Sequence, residues 1–254
     1  NDITDLTEVW PAYFPGVFDL FDVGSIAGLA PNAYVFAMAN EELYPEYTKE
    51  LYESQGIQLA FMAPLSNKAL ISSKPVESFD DIEGMKIRSG DSFSTEYIKA
   101  VGANPVTIPS SEIYTGLQTG VIDAAHYHAS GGYSFKLYEV APYVITNIFN
   151  SNSPAPYAFN PKTWEKLPDD LKQIIYEVNM EATMWAAESY EKGEEIARQD
   201  GEAKGWKFVT LPESEVAKFE EKISEATEKQ IQDLEQKGYN AREYYEKMTN
   251  EELL

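Results

Sequence analysis

Between residues 79 and 125, short apolar runs alternate with longer amphipathic runs, and this alternation limits the possible fold more than any other feature of the chain. The apolar runs stand between Gly and Pro breakers, which predicts three short strands at 85–88, 106–108 and 121–125. Between these strands, apolar residues recur at helical spacing and predict one helix that begins at Asp91 or Ser92 and a second that begins near Pro109. Strands that alternate with helices are typical of a parallel sheet in an α/β fold, where ligands bind beyond the carboxyl ends of the strands.

Arg88 lies at the carboxyl end of the first predicted strand. Arginine is scarce, since the chain contains only Arg88, Arg198 and Arg242, and the last two fall in charge-rich helical sequence where a solvated helix face accounts for them. A guanidinium group matches a carboxylate with two parallel hydrogen bonds and stays charged where water is excluded. The sequence therefore predicts that Arg88 binds an anionic ligand. The alternative, on spacing alone, is an ordinary salt bridge at the end of a strand.

Composition excludes several classes of protein. The 254 residues suffice for two lobes of about 100 to 150 residues each. The net charge of −22 argues against a nucleic-acid partner and requires any anion site to be built from local donors. The absence of cysteine excludes disulfides and thiolate metal sites. No apolar run approaches the roughly 20 residues of a membrane-spanning helix, and the N-terminus lacks a signal-peptide pattern, so an exported protein would be represented here by its mature form or a part of it.

Three segments resemble, in order and spacing, the solute-binding proteins of tripartite ATP-independent periplasmic (TRAP) transporters of the DctP type. These segments read DDIEGMKIR, AVGANPV and SEIYTGLQTGVIDAA. The resemblance implies a two-lobed periplasmic-binding-protein (Venus flytrap) α/β fold that closes on a small organic acid in the periplasm and delivers it to a TRAP membrane permease. It implies a receptor without a cofactor rather than an enzyme, and it implies that Arg88 binds the ligand carboxylate.

The resemblance also implies how the chain is divided between the lobes. The first lobe is expected to comprise residues 1–65 and 154–194, and the second lobe residues 66–153 and 195–254, with one long helix bracing both. The strands and helices that open the first lobe in this family have no counterpart here. Either the chain is a fragment of the natural protein or its first lobe is rebuilt in another way. We expect the fragment, because a sheet that lacks its central strands would expose unpaired edges.

Two candidate contacts are expected from the first lobe. Glu8 and Trp10 lie where the family's first lobe faces the cleft. For Trp10 the alternative is core packing against Phe14 or Phe18.

Two further candidates come from the second lobe. Lys68 lies where some relatives place a second basic ligand contact, although lysines are usually solvated. Asn150 lies near the end of a strand predicted over residues 144–153, where relatives place a ligand-binding Asn.

Residues 126–128 depart from the family pattern. Many relatives carry an acid and an Asn after their Asp-Gly pair, whereas this chain carries His126 and Tyr127, which predicts a hydrogen-bonding and aromatic cleft wall. If Tyr127, Tyr133 and Trp10 line the cleft, they favour an aromatic or partly apolar acid over a sugar acid. The alternative function is a metal-dependent hydrolase that uses His126 and His128 with Asp123 or Glu139 nearby, but a catalytic zinc site needs three protein ligands and the third is not identified.

Patterns elsewhere predict the remaining elements. A helix over 34–52 is expected to be interrupted at Pro45, and residues 57–62 to form a strand that exits through 63–64. Residues 136–144 resemble a helix of the family, and a very long helix is expected from 168 to 203 with Trp185 packed against the core. A strand over 206–209, a helix over 213–237 and a surface helix over 241–254 complete the prediction.

Overall fold

The structure, a computed structural model, describes residues 4–10 and 20–249. The strands run in chain order as β1 (Leu6–Glu8), β2 (Gln58–Leu65), β3 (Lys68–Ser72), β4 (Lys86–Ser89), β5 (Asn104–Thr107), β6 (Ala124–His128), β7 (Tyr143–Ile145), β8 (Ser153–Phe159) and β9 (Lys207–Val209). The helices are α1 (Ala33–Leu43), α2 (Lys49–Ser54), α3 (Ser92–Ala100), α4 (Ile113–Thr119), α5 (Ala129–Ser134), α6 (Pro161–Lys166), α7 (Asp169–Ala203), α8 (Glu213–Gln236) and α9 (Ala241–Met248).

The strands form two sheets. The smaller sheet is antiparallel, with the order β1-β8-β2, and the larger sheet has the order β5-β4-β6-β3-β7-β9. Strands β5, β4 and β6 are parallel, as the alternation of strands and helices predicts, whereas β3 is antiparallel to both β6 and β7. The larger sheet is therefore mixed, and its parallel half carries Arg88.

Two adjacent segments connect the sheets. Strand β2 continues through Pro64 to Leu65, further than predicted, and the chain then crosses at residues 66–67 into β3. The return crossing precedes β8, and the two crossings are hydrogen-bonded to each other from Lys68 N to Ser151 O at 2.9 Å and from Asn152 Nδ2 to Leu65 O at 3.4 Å. The sheets are thus linked by a pair of crossings that lie side by side.

Strand β6 begins three residues later than the sequence pattern predicts. Gly120 ends α4 in the left-handed conformation at φ 72°, and Val121 is exposed. The carboxylate of Asp123 then accepts hydrogen bonds from Lys86 N and Lys74 Nζ. This residue therefore stabilises the turn that precedes β6 and is not part of the strand. As a result Tyr127 and His128 lie on the strand itself, next to β3.

The segment from 136 to 152 differs most from prediction. The expected helix is a single 3-10 turn over Leu137–Glu139, because Pro142 cannot continue a helix. The expected strand over 144–153 ends at Ile145. There the side chain of Asn147 bonds both the N–H and the carbonyl of Leu211 in place of a strand neighbour, and Phe149 adopts a left-handed backbone at φ 56°.

Helix α7, predicted from its periodicity, spans 35 residues and contacts elements of both sheets. Near its middle Glu191 Oε1 accepts a hydrogen bond from Ala33 N at the start of α1 at 2.8 Å. One turn on, Glu194 Oε1 accepts from Ser66 Oγ at 2.7 Å and from Ser130 N in α5 at 2.9 Å. The prediction for Trp185 is wrong, because its side chain is 71% exposed and the buried face of the helix is formed by small residues such as Ala186 and Ala187.

The C-terminal helix α9 was expected on the surface and instead packs into the main core. Its residues Ala241, Tyr244 and Met248 are buried. The Tyr244 ring lies 5.2 Å from that of Tyr47, in the π-helical turn that Pro45 introduces between α1 and α2. The division of the chain between lobes stays a prediction, and α9 lies against α1 of the expected first lobe. No helix among the described residues has the length and apolar character that crossing a membrane requires.

Candidate functional site

Arg88 is buried and closely packed at the end of β4. It pairs across the sheet with Val106 of β5 and Ala125 of β6 and is only 4% exposed. Its Nε donates to the carbonyl of Ile108 at 3.2 Å, and its Cζ lies 5.4 Å from the centre of the Tyr127 ring. A Cβ at Gly90 would come within 2.6 Å of Nη1, so a residue without a side chain is needed there. The guanidinium is therefore positioned by a carbonyl, a ring and a glycine.

Lys68, which pairs with His128 across the larger sheet, forms a buried ion pair with Asp91. The Nζ to Oδ2 distance is 2.7 Å, and Asp91 also caps α3 by accepting from Ser94 N at 2.7 Å. Burial raises the pKa of Asp91, but the charge and hydrogen bond of Lys68 together with the hydrogen bond from Ser94 N outweigh it, and the pKa lies below its usual value. Lys68 is thus not solvated, and its ammonium group is bound by Asp91.

His126 lies in strand β6 of the larger sheet, and both of its ring nitrogens are hydrogen-bonded. Its Nδ1 is 2.9 Å from Ser94 Oγ and its Nε2 is 2.7 Å from the carbonyl of Phe149, to which it must donate. Burial, followed by the charge of Lys68, lowers the pKa of His126 to about 3, although the charge of Asp91 opposes the shift, so the ring is neutral. His126 therefore has a structural role behind the site, because its two hydrogen bonds connect the left-handed turn at Phe149 to helix α3.

Tyr127 and His128 form one wall beside Arg88. The two rings lie 4.1 Å apart, and the His128 ring meets that of Tyr190 edge-on at 6.3 Å. His128 is 7% exposed, and its Nδ1 has no hydrogen-bond partner. Burial, followed by the charges of Lys68 and Arg88, lowers the pKa of His128 to about 3. This wall is aromatic and uncharged.

A second aromatic wall comes from the small sheet and α7. Phe61 and Tyr157 stack at 4.6 Å and 5°, and Trp10 and Tyr190 pack in the same apolar cluster. Trp10 Nε1 donates to Glu8 Oε2 at 3.0 Å, so this indole turns its polar edge towards Glu8. The alternative partners Phe14 and Phe18 lie outside the described residues.

Tyr190 joins the two walls. Burial, followed by the charges of Tyr157, Glu8 and Tyr127 in that order, raises the pKa of its hydroxyl to about 12. It is therefore close to residues of both sheets. Neither Tyr190 nor Tyr157 is among the contacts predicted from the sequence. For Tyr190 the available signal is helical phase, since Tyr190 and not Trp185 shares the inward face of α7.

Asn150 contributes to two cavities. It lines a cavity of about 280 Å³ with Lys68 and the acidic residues of α7, and a second cavity of about 310 Å³ with residues of α8. The described residues that line these cavities do not include Arg88 or Tyr127. The structure thus brings Arg88 and Tyr127 together, and it places Glu8 and Trp10 at the aromatic cluster of the small sheet. Lys68 and His126 are engaged by neighbouring side chains and a backbone carbonyl, and Asn150 lines the two cavities described above.

The residues expected of a metal centre are not assembled. Over residues 4–10 and 20–249, no group of three or more His, Asp or Glu side chains is arranged to hold a metal ion. Asp123 binds Lys74 and Lys86, and Glu139 accepts from the hydroxyl of Tyr114 at 2.8 Å. Because both nitrogens of His126 are also engaged, the hydrolase alternative is not favoured.

Comparison with known proteins gives consistent results. The model of the family described as bacterial extracellular solute-binding protein, family 7 (DctP) matches residues 1–233. A solute-binding protein of Sulfitobacter sp. is 29% identical over 185 residues, which are 72% of this chain and 54% of that protein. The chain thus spans about half the length of this relative.

Solved structures show the same fold. A TRAP solute-binding protein from Rhodoferax ferrireducens, in complex with copurified benzoate, superposes with a TM-score of 0.89 at 21% identity, over 98% of this chain and 78% of that one. A TRAP periplasmic solute-binding protein from Bordetella bronchiseptica with bound mandelate superposes with a TM-score of 0.87 at 23% identity, over 97% and 79%. The two-lobed α/β architecture expected from the sequence is therefore confirmed.

Proposed function

The chain belongs to the DctP family of bacterial extracellular solute-binding proteins, and from this membership we propose that it is a periplasmic receptor that binds a small organic acid by its carboxylate and delivers it to a TRAP membrane permease. The solved relatives with benzoate and mandelate support a carboxylate as the recognised group. The proposal assigns the protein no catalytic step.

The observation that carries this proposal is the setting of Arg88. The Arg88 guanidinium is only 4% exposed and stays charged there, whereas the molecule as a whole is strongly acidic. Bidentate Arg–carboxylate pairs are stronger and more directional than neutral hydrogen bonds, particularly where water is excluded. Arg88 is therefore the group best suited to select an organic anion.

The neighbouring residues have supporting roles in this proposal. Tyr127 forms the face next to the carboxylate, and Glu8 and Trp10 close the cavity from the first lobe. Lys68 adds positive potential while bound to Asp91, and contacts from Asn150 and His126 stay predictions. Closure of the two lobes around the ligand would exclude water, as is common for hinged binding proteins.

Calorimetry on Arg88→Ala tests this function. A panel of benzoate, mandelate, a keto acid, a dicarboxylate and a sugar acid is titrated into the chain, and the tightest binder is used for the variant. We expect a loss of affinity of at least about 100-fold, because removing one partner of a buried charge pair costs about 3 to 5 kcal/mol.

Arg242→Ala is the matched control, since Arg242 is an exposed arginine paired with Glu228 on α8. It should bind as the wild type does. Binding by Arg88→Ala within threefold of the wild type would contradict the assignment of Arg88, and the absence of binding to any carboxylate would contradict the function.

A further inference from the structure

The cavity of about 310 Å³ between α8 and residues 147–150, which we call the α8 cavity, has no role in the binding of a carboxylate at Arg88. Its volume lies in the range of about 300 to 1,000 Å³ that is typical of small-molecule sites. One face of α8 forms a wall of this cavity, with residues at helical spacing, which are Val216, Phe219, Glu220, Ile223, Ser224 and Thr227. The α8 cavity is therefore built on a regular element and not on loops alone.

Hydrogen bonds hold the walls of the α8 cavity together. The hydroxyl of Tyr97 in α3 accepts from Ala27 N at 3.1 Å and from Thr227 Oγ1 at 3.2 Å. The N–H of Gly28 donates to the carbonyl of Asn150 at 2.7 Å. These bonds connect the three segments that line the cavity in one series. The cavity is thus preformed, and a ligand would not have to order its walls.

The buried part of the α8 cavity is apolar and aromatic. Phe149 and Phe219 are 2% and 0% exposed, and their rings meet edge-on at 5.7 Å and 74°. Ile148 and Ile223 line the cavity beside them and are also buried. A surface of this kind favours a hydrocarbon or aryl group, because contact with it removes apolar area from water.

Glu220 gives the α8 cavity a negative charge. It is the only charged side chain among the described residues that line the cavity, and it is exposed. Within residues 4–10 and 20–249, no lysine or arginine forms an ion pair with Glu220, since Lys218 and Lys222 on the same helix are paired with other glutamates. The Glu220 carboxylate therefore favours a cationic group at the cavity and disfavours an anion.

We propose that the α8 cavity is a second binding site, which takes a small organic ammonium ion whose apolar part packs on Phe149 and Phe219 and whose nitrogen pairs with Glu220. The two sites of the molecule would then select ligands of opposite charge, with an organic anion at Arg88 and an organic cation at Glu220. This inference goes beyond the proposed receptor function and does not depend on it.

Two isosteric probes test the α8 cavity. 2-Phenylethylammonium and 2-phenylethanol share one hydrocarbon part and differ in whether it ends in a cationic nitrogen or in a hydroxyl group. Each probe is titrated with the chain at about 0.15 M salt, which screens the long-range attraction of cations to the acidic surface. NMR of the aromatic protons of the probe measures its binding.

The cationic probe should bind about fivefold more tightly than 2-phenylethanol, a difference of about 1 kcal/mol, because it adds an ion pair and cation–π contacts. Glu220→Gln should reduce this preference to at most about twofold and leave the binding of 2-phenylethanol unchanged. Glu221→Gln is the matched control, because Glu221 is exposed on the same helix but does not line the cavity. It should keep the wild-type preference.

Ser224→Phe tests the location of the site. The added ring would fill the α8 cavity, so both probes should bind at least about tenfold more weakly. Ser214→Phe adds the same ring at an exposed position of α8 that does not line the cavity, and it should bind both probes as the wild type does. Thermal denaturation of both variants shows whether each is folded, and the Glu220→Gln comparison decides if Ser224→Phe is not.

Absence of binding by either probe, or equal binding of the two, would overturn the inference. So would a fivefold preference that persists in Glu220→Gln, or binding by a folded Ser224→Phe that matches that of Ser214→Phe. Arg88→Ala should bind the cationic probe as the wild type does. Loss of binding in that variant would place the probe at the carboxylate site, which would overturn the second site and leave the receptor function intact. Failure of every carboxylate to bind would contradict the receptor function alone.

Discussion

At the scale of single residues, the geometry around Arg88 depends on the absence of a side chain at Gly90. Gly90 needs no left-handed backbone, and its role is to leave room for the guanidinium. The sequence could identify Arg88 from its rarity and its place at a strand end. It could not identify Gly90, because the reason for that glycine is a contact formed only in the folded chain.

Gly90→Ala should weaken carboxylate binding by about tenfold. The added methyl group would come within 2.6 Å of Nη1 and 3.1 Å of Cζ, so the guanidinium must move. The melting temperature should change by only a few degrees, since the displaced atoms are the far end of a long side chain. Calorimetry and thermal denaturation measure the two effects, and unchanged affinity would show that ligand binding does not use this position of the guanidinium.

At the scale of elements, the sequence predicts a helix or strand correctly where its apolar pattern repeats over many residues. It fails where side chains form the hydrogen bonds that a neighbouring strand would otherwise form. The 35-residue length of α7 makes its helical pattern unmistakable. The sequence pattern predicts the wrong buried face for this helix, because the large apolar side chain of Trp185 dominates the pattern. The face that is buried consists of small residues. The sequence pattern predicts a strand over 144–153, but the strand ends at Ile145. Beyond it the side chain of Asn147 supplies the hydrogen bonds, and single-sequence patterns do not show this.

Glu194→Ala should lower the free energy of unfolding by about 1 to 3 kcal/mol, because it leaves the N–H of Ser130 without its acceptor and removes the bond to Ser66. Urea denaturation measures this loss. Glu188→Ala, at an exposed position of the same helix, is the control and should change the stability by less than about 0.5 kcal/mol. Equal effects of both substitutions would argue against a bracing role for Glu194.

At the scale of the whole molecule, the two histidines link stability to pH. Burial, then the charge of Lys68, lowers the pKa of each from 6.5 to about 3 in the folded protein. The unfolded chain therefore binds more protons below pH 6.5, and stability is full above that pH and falls as the pH drops from 6.5 towards 3. Asp91, whose pKa is lowered from 3.8, adds a loss only below about pH 3.8.

His128→Leu should reduce the slope of stability against pH between 6.5 and 4.5. Each buried neutral histidine contributes up to about 1.4 kcal/mol per pH unit in this window, so removing one of the two should remove about half of their joint effect. Urea denaturation at several pH values measures the slope. A slope equal to that of the wild type would mean that His128 is protonated in the folded protein as readily as in the unfolded chain.

The paired crossings between the sheets restrict how the cleft can open. Because the two segments are hydrogen-bonded to each other and α7 spans the same boundary, sliding of one half past the other would break the bonds of Lys68, Asn152 and Glu194 together. Rotation about the line of the crossings preserves them. Ligand entry and exit should therefore follow a single bending coordinate, and the dissociation rate should be set by the stiffness of residues 65–68 and 151–153 as much as by the contacts that hold the solute.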